Sequence, residues 1–399
     1  MQKVYRPELL APAGDLEKLK IAIIYGADAV FIGGKKFSLR AKASNFELKD
    51  IEEGVIFAHE NNSRVHVTVN VYPHSEDLEG LDEYLLELDK INVDAIIVSS
   101  PYIVKRSREL GCKFEIHIST QQSTANYEAM IFWQNLGANR IVLARELNLK
   151  DIEKLKRETN LPLEVFIHGG LCSSFSGRCT LSNNMTLRDA NRGGCAHSCR
   201  WFYDIYEDSK KLNEDIENFR LGSKDLCAAS MINQLIDLKV DSFKIEGRMK
   251  SLHYIACVVQ AYRQLIDDYL EGNSKDLSYY LNMLSRAENR ATTRGFLNGD
   301  ITCEDGLFEV ESEQPSQDFL GIVIDYDKQK KLAKIQQRNH FKVGEKISVM
   351  QPFLEDIDMS IQEIYDEHMN KIEIANHAMD ILYVKTELPI KKHGIIRRK

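Results

Sequence analysis

The chain has 399 residues, 43% hydrophobic and 28% charged, with a formal net charge of −8. That length supports a large core and suggests one large domain plus an appendage. No run approaches the roughly eighteen uncharged apolar residues of a membrane span, and Met1–Pro12 has no apolar leader, so a cytoplasmic protein with no membrane partner is expected. The acidic balance argues against nonspecific coating of nucleic acid and confines any RNA binding to a local patch.

One grammar recurs along the chain. A Gly or small residue closes a helical stretch, a polar residue follows, and a short β-branched run begins. Examples are Gly26-Ala-Asp-Ala-Val-Phe-Ile32, Gly137-Ala-Asn-Arg-Ile-Val-Leu143 and Val240-Asp-Ser-Phe-Lys-Ile245. This is a helix C-cap feeding a buried parallel strand. Eight such runs are predicted as strands: Leu9–Ala11, Ala29–Ile32, Val65–Asn70, Ala95–Ser99, Glu115–Ser119, Ile141–Ala144, Leu163–His168 and Ser242–Glu246. Amphipathic stretches such as Asp15–Tyr25, Leu48–Asn61, Leu147–Thr159 and Leu252–Leu270 follow them. Eight strand–helix units predict an α/β fold, a (β/α)8 TIM-like barrel over residues 1–272; a doubly wound open sheet is the alternative. One connection is abnormal, since about sixty residues separate the seventh strand from a helix near Ala228, and long loops on that face are usually functional. A polar, partly helical connector is expected over 273–317. From 318 to 399, short alternating runs such as Lys346-Ile-Ser-Val-Met350 and Ile381-Leu-Tyr-Val384 read as a small all-β domain, an antiparallel barrel or sandwich.

The long loop, 169–227, carries Cys172, Cys179, Cys195 and Cys199 in the spacing C-x6-C-x15-C-x3-C. Four thiolates in one loop can hold an iron–sulfur cluster. Zinc is the alternative metal, although only Cys195 and Cys199 have knuckle spacing. Ordinary buried or redox-active thiols are the third reading. Cys227, where the loop returns, is a rival fourth ligand or a small buried residue. Cys112, Cys257 and Cys303 stand isolated.

The segment Glu164-Val-Phe-Ile-His-Gly-Gly-Leu-Cys-Ser-Ser-Phe-Ser-Gly-Arg-Cys-Thr-Leu-Ser182 resembles the signature of the peptidase U32 family, the collagenase-like proteases. Gly170 stands where that signature has Ser or Ala. The resemblance begins at Leu9-Leu-Ala-Pro-Ala-Gly14. It runs through Asn191-Arg-Gly-Gly-Cys-Ala-His-Ser-Cys-Arg-Trp201, Ser223-Lys-Asp-Leu-Cys227 and Phe243-Lys-Ile-Glu-Gly-Arg-Met-Lys-Ser251, and ends at Gly394-Ile-Ile-Arg-Arg398. It implies a subgroup similar to prephenate-dependent tRNA hydroxylation proteins, which convert wobble uridine to 5-hydroxyuridine without dioxygen. The four cysteines match the family's iron–sulfur motif in every spacing, which implies a cluster, with 4Fe–4S the expected type. tRNA is then the expected partner, with a second subunit of the same family as a further expectation.

Strand C-terminal ends of a barrel line its active mouth, which selects Asn70, Ser99, Ser119, Gln121, Arg145, His168, Glu246 and Arg248. Of these, His168, Arg145, Glu246 and Arg248 are the candidate catalytic residues. The arginines suit a carboxylated co-substrate such as prephenate, or else an internal salt bridge that shapes the rim. His168 suits proton transfer or a supporting hydrogen bond. RNA-contact candidates are Lys35, Lys36, Arg40 and Lys42; Arg188, Arg192, Arg200 and Trp201; and the tail Lys391, Lys392, Arg397, Arg398 and Lys399. Two other functions compete with RNA hydroxylation: a U32-type peptidase, and an RNA-binding scaffold around a structural metal. The chain has neither H-E-x-x-H nor G-x-S-x-G to support proteolysis.

Overall fold

The structure is a computed structural model describing residues 5–38, 45–214, 219–287, 290–299, 301–306 and 319–399. The eight β-branched runs form parallel strands β1 (Glu8–Pro12), β2 (Ala29–Gly33), β3 (Arg64–Val69), β4 (Ala95–Val98), β5 (Glu115–Ile118), β6 (Arg140–Val142), β7 (Leu163–Gly169) and β8 (Ser242–Ile245). Each pairs with the next in sequence, and β8 pairs with both β7 and β1, so the sheet closes. The barrel is the predicted one, and the open-sheet alternative falls.

Helices α1 (Leu16–Ile24), α2 (Leu48–Glu60), α3 (Leu81–Lys90), α4 (Pro101–Glu109), α5 (Tyr127–Leu136), α6 (Leu149–Glu158), α7 (Ile232–Asp237) and α8 (Leu252–Leu270) surround the strands. Local chemistry sets their starts. Asp15 accepts from the Lys18 amide, Asn148 from Lys150 and Asp151, and Ser251 from Tyr254, each meeting a backbone donor that the first helical turn leaves unpaired. The outward strand residues pack against the buried helix faces in one continuous core.

The lumen is charged rather than purely apolar. Glu164 on β7 is fully buried and accepts from Lys244 Nζ of β8 at 2.7 Å and Arg140 Nη1 of β6 at 3.1 Å. Arg140 also pairs with Glu8 of β1, and Ser242 Oγ of β8 donates to Glu8 at 3.1 Å and Glu164 at 3.2 Å. This network crosses the seam where the barrel closes. Lys244 and Arg140 hold the Glu164 carboxyl down at about 2 against the pull of burial. Phe31, Ile97, Leu10 and Ala29 form a small separate apolar cluster, and Phe31 lies under the Lys244 ammonium.

The chain leaves α8 through a further helix, α9 (Leu277–Ser285), and enters an antiparallel all-β domain at Phe319. Its main sheet has eight strands, with Phe319–Asp327 between Ile395–Arg398 and Leu332–Gln337, around a core of its own. The domain docks on α1 and α8. Tyr25 donates to the Met350 and His393 carbonyls at 3.2 and 2.9 Å, His253 stacks on Phe319, and Arg338 pairs with Glu17 at 2.6 Å.

Replacing Glu164 with Gln leaves two buried cations facing an amide, and is expected to cost about 3–5 kcal/mol. Urea denaturation reads this, and a midpoint equal to wild type would remove Glu164 from the closure. Acid stability follows from buried imidazoles. Burial lowers His66 and His117, and takes His168 to about 3 and His253 to about 4. His168 and His253 stay neutral in the fold at pH 5 but take up a proton once unfolded below about pH 6.5. Their stability contribution is therefore full above about 6.5 and lost as pH falls below it, at about 1.4 kcal/mol per pH unit per group. Glu164 adds its own loss only below about 4.5. Denaturation midpoints should fall between pH 7 and 5; a flat profile would contradict the assignment.

Candidate functional site at the barrel mouth

The cysteine loop leaves β7 at Gly170 and returns through a short strand, Asp225–Cys227. That strand runs antiparallel to the end of β7, pairing Leu226 with Gly169 and Cys227 with His168, so both ends of the loop are fixed at one place. Gly169 is required there. Its φ is +99°, and a Cβ would lie 2.2 Å from the Glu246 carbonyl of the neighbouring strand end. Gly194 is under the same pressure, with a Cβ only 2.7 Å from the Asp189 carbonyl.

The loop folds back over the mouth and is fastened at three points. Arg192 pairs with Asp77 at 2.7 Å and Glu76 at 3.0 Å, beyond β3. Arg178 Nε donates to the Gln121 carbonyl at 2.7 Å, after β5. Ser176 binds the Glu146 carboxylate, after β6. Beneath it, four predicted rim residues form one cluster. Gln121 Oε1 accepts from Asn70 Nδ2 and Ser99 Oγ, both at 3.2 Å, and from Ser119 Oγ at 3.5 Å.

Cys172 and Cys195 lie near enough to Cys199 to act on its thiol. Burial raises Cys199, the Ser173 hydroxyl opposes that rise, and the neighbouring Cys172 and Cys195 add to it. Cys179 joins the assembly through its backbone: its carbonyl accepts from Asn191 Nδ2 at 3.0 Å, and nearby Ser182 Oγ accepts from the Ala196 amide at 3.0 Å. All four are free of disulfides. No three of them fall within 4.8 Å of one another. Cys227 sits elsewhere, buried in the core with Sγ 3.9 Å from the Tyr262 hydroxyl of α8.

Four further predicted rim residues each have partners within the wall. His168 does not face the mouth. A register shift between Lys244 and Ile245 inserts Ile167 as an extra residue and inverts the alternation that would aim His168 inward. Its ring turns to α8, with Nδ1 3.2 Å from Tyr262 Oη and Tyr254 beside it, and burial keeps it neutral with a pKa of about 3. Arg248 is nearly buried, donating to Ser38 Oγ at 3.0 Å and Asn45 Oδ1 at 2.6 Å. Arg145 donates to the Gly170 carbonyl at 2.9 Å, with its guanidinium over the Phe166 ring at 3.9 Å. Glu246 contributes backbone, its amide on the His168 carbonyl and its own carbonyl on Tyr254 Oη.

The predicted RNA patch is thinner than its charges suggest. Arg192 is held by Asp77, and Arg200 by Asp225 at 3.2 Å. Arg397, Arg398 and Lys399 pair with Asp356, Glu345 and Asp358. Lys35 pairs with Glu47, while Arg40 and Lys42 lie outside the described residues. Arg188 and Trp201 remain exposed, and Phe175, Leu187 and Phe202 of the same loop join them.

Sequence reasoning missed the lumen group His66, His117 and Glu164, whose ligand atoms lie within 4.8 Å of one another. The signal was present: Arg64-Val-His-Val and Glu115-Ile-His-Ile place polar residues at every second position, the lumen side of a strand. The trio has metal-ligand chemistry, but Lys244, Arg140 and Ser242 already occupy the Glu164 oxygens, so a dication would have to displace buried cations. It is a polar plug. Loosening the lid should be visible: Arg192→Ala is expected to speed trypsin cleavage between Arg178 and Lys211 severalfold, and an unchanged digestion rate would mean that Arg192 does not fasten the loop.

The peptidase family U32 model matches residues 14–305, and the peptidase family U32 C-terminal domain model matches 315–397. The chain is 42% identical to tRNA hydroxylation protein P1 of Bacillus subtilis, over 98% of this chain and 95% of that protein. It is 36% identical to the 23S rRNA 5-hydroxycytidine C2501 synthase of Escherichia coli, over 80% of this chain and 51% of that protein. It is 29% identical to a collagenase of Porphyromonas gingivalis, over 96% and 95%. Both the barrel with its cysteine loop and the β domain fall within these matches, and the chain belongs to peptidase family U32.

Proposed function

We propose that this chain is an RNA-modifying hydroxylase that acts on tRNA, placing oxygen on carbon 5 of the wobble uridine without dioxygen. The carrying observation is the match along nearly the whole length of the Bacillus subtilis tRNA hydroxylation protein. The Escherichia coli rRNA synthase, named for 5-hydroxylation of a different base, supports the same chemistry. A tRNA substrate makes the cytoplasm the working compartment, and no helix among the described residues is long and apolar enough to cross a membrane.

Cys172, Cys179, Cys195 and Cys199 would hold an iron–sulfur cluster, which supplies single electrons beside the base when bound. The donor set fits. Four disulfide-free thiols share one loop over the mouth, the ligand number a cluster takes. Zinc remains the alternative metal to be tested. Cys227, facing Tyr262 in the core, is the weaker fourth ligand.

The protein's own groups then divide the work. Gln121, fixed by Asn70, Ser99 and Ser119, gives a rigid polar floor for a base taken out of its stack. Arg145, lying flat on Phe166, offers its charge to a carboxylated co-substrate such as prephenate. Arg248 shapes the wall through Ser38 and Asn45, with Glu246 supplying backbone beside it. Arg188, Trp201 and Phe202 suit the RNA outside the mouth. A second U32 subunit would dock on what this face leaves open.

The collagenase relative keeps a peptidase reading in view. It needs an accessible nucleophile and base. Cys227 and His168 are cross-strand neighbours that both reach Tyr262, but both are buried and His168 has a pKa of about 3, a poor base at neutral pH.

Nucleoside mass spectrometry of tRNA from a deletion strain tests the proposal. The 5-hydroxyuridine derivatives should disappear, return with the wild-type gene, and stay absent with Cys199→Ser. Retained derivatives in a strain lacking every family member would refute it; restoration by Cys199→Ser would favour a scaffold whose metal is dispensable.

A further inference from the structure

Among the described residues, two buried donors beside Cys199 have no acceptor. Ser198 is 2% exposed and its Oγ meets no partner. Arg200 is anchored at one end, where Nη2 donates to Asp225 Oδ1 at 3.2 Å and to the Leu171 carbonyl at 3.5 Å. Its Nη1 is buried without a partner. The two residues flank Cys199 in sequence, and the carbonyl that Arg200 grips immediately precedes Cys172. Both orphaned donors therefore belong to the backbone that carries the thiols.

An unmet buried donor costs about 1–3 kcal/mol, and native chains retain one chiefly where an ion or another absent group completes it. The groups beside these thiols share one character. Ser173 hydrogen-bonds the Cys199 thiol, and Ser174 Oγ lies 3.0 Å from Cys172 Sγ. Hydroxyl donors, rather than apolar side chains, stand beside these sulfurs.

We propose that Ser198 and Arg200 donate hydrogen bonds to the sulfur atoms of the cluster held by the four loop cysteines, and that they set its reduction potential. This rests on the cluster reading above. Adding one electron makes the cluster more negative. Donors and a nearby cation stabilise that reduced state, so they raise the potential, and removing them lowers it. A water molecule satisfying the same donors would leave the potential where it is.

The test uses anaerobically purified full-length protein, titrated with dithionite as the one-electron donor and followed by electron paramagnetic resonance of the reduced cluster. Ser198→Ala and Arg200→Gln should keep wild-type iron and sulfide content and visible spectra. Their midpoints should move to more negative values, further for Arg200→Gln, which also removes a charge. Lys210→Gln, an exposed charge change on the same loop, should leave the midpoint at the wild-type value. Midpoints of both variants equal to wild type would overturn the inference. Loss of iron from both would make the two residues structural and overturn it as well. Wild-type protein free of iron and sulfide would overturn the cluster reading itself, a result read before any variant is made.

Discussion

A buried carboxylate with two buried cations sits where the barrel must close. Glu164 on β7 meets Lys244 on β8 and Arg140 on β6, and Arg140 reaches Glu8 on β1. Strand pairing brings β8 between β7 and β1 in many ways that differ by a residue. Glu164 selects one, because any slip would leave an ion buried without its partner. Such a network adds little net stability over an apolar core; its value lies in register. The site depends on that register. It brings Gly169 against the Glu246 carbonyl and lets Asp225–Cys227 pair with the end of β7, so the cysteine loop starts and finishes at the mouth.

The barrel was readable because its signal repeats. Eight β-branched runs with helical stretches between them leave few arrangements, and the caps Asp15, Asn148 and Ser251 sit where their chemistry places them. The four cysteines stood out by composition and spacing, and the structure carries them on one loop without disulfides. The cluster of Asn70, Ser99, Ser119 and Gln121 followed from strand ends alone. His168 was misplaced because one inserted residue, Ile167, reverses the face of everything after it, and no local sequence feature marks that bulge. Arg192, Arg200 and Arg397 were read as surface charge because their partners, Asp77, Asp225 and Asp356, lie 115, 25 and 41 residues away along the chain.

The family's historical name points to proteolysis, and the folded chain shows why the signature invites that reading. Glu, His and Cys stand close together in Glu164–Cys179, as in a hydrolase. In three dimensions they separate. Glu164 enters the lumen and is fully paired, His168 turns behind the wall to Tyr262, and Cys172 and Cys179 leave on the loop. A linear motif has become three environments with three tasks: closing the barrel, packing α8 and furnishing thiols.

This separation bears on which parts of the fold can vary independently of one another. The closing network and the loop anchors concern only barrel register, whereas the residues over the mouth are carried on excursions fastened by surface pairs such as Arg192 with Asp77. Surface pairs contribute little each and tolerate exchange. The β domain is held separately, through Tyr25, His253 and Arg338 against α1 and α8. Changes in the loop surface or the β domain can therefore leave Glu164 and the cysteine frame in place. The match to the Escherichia coli rRNA synthase spans only half of that protein, which fits a shared frame with different attachments around it.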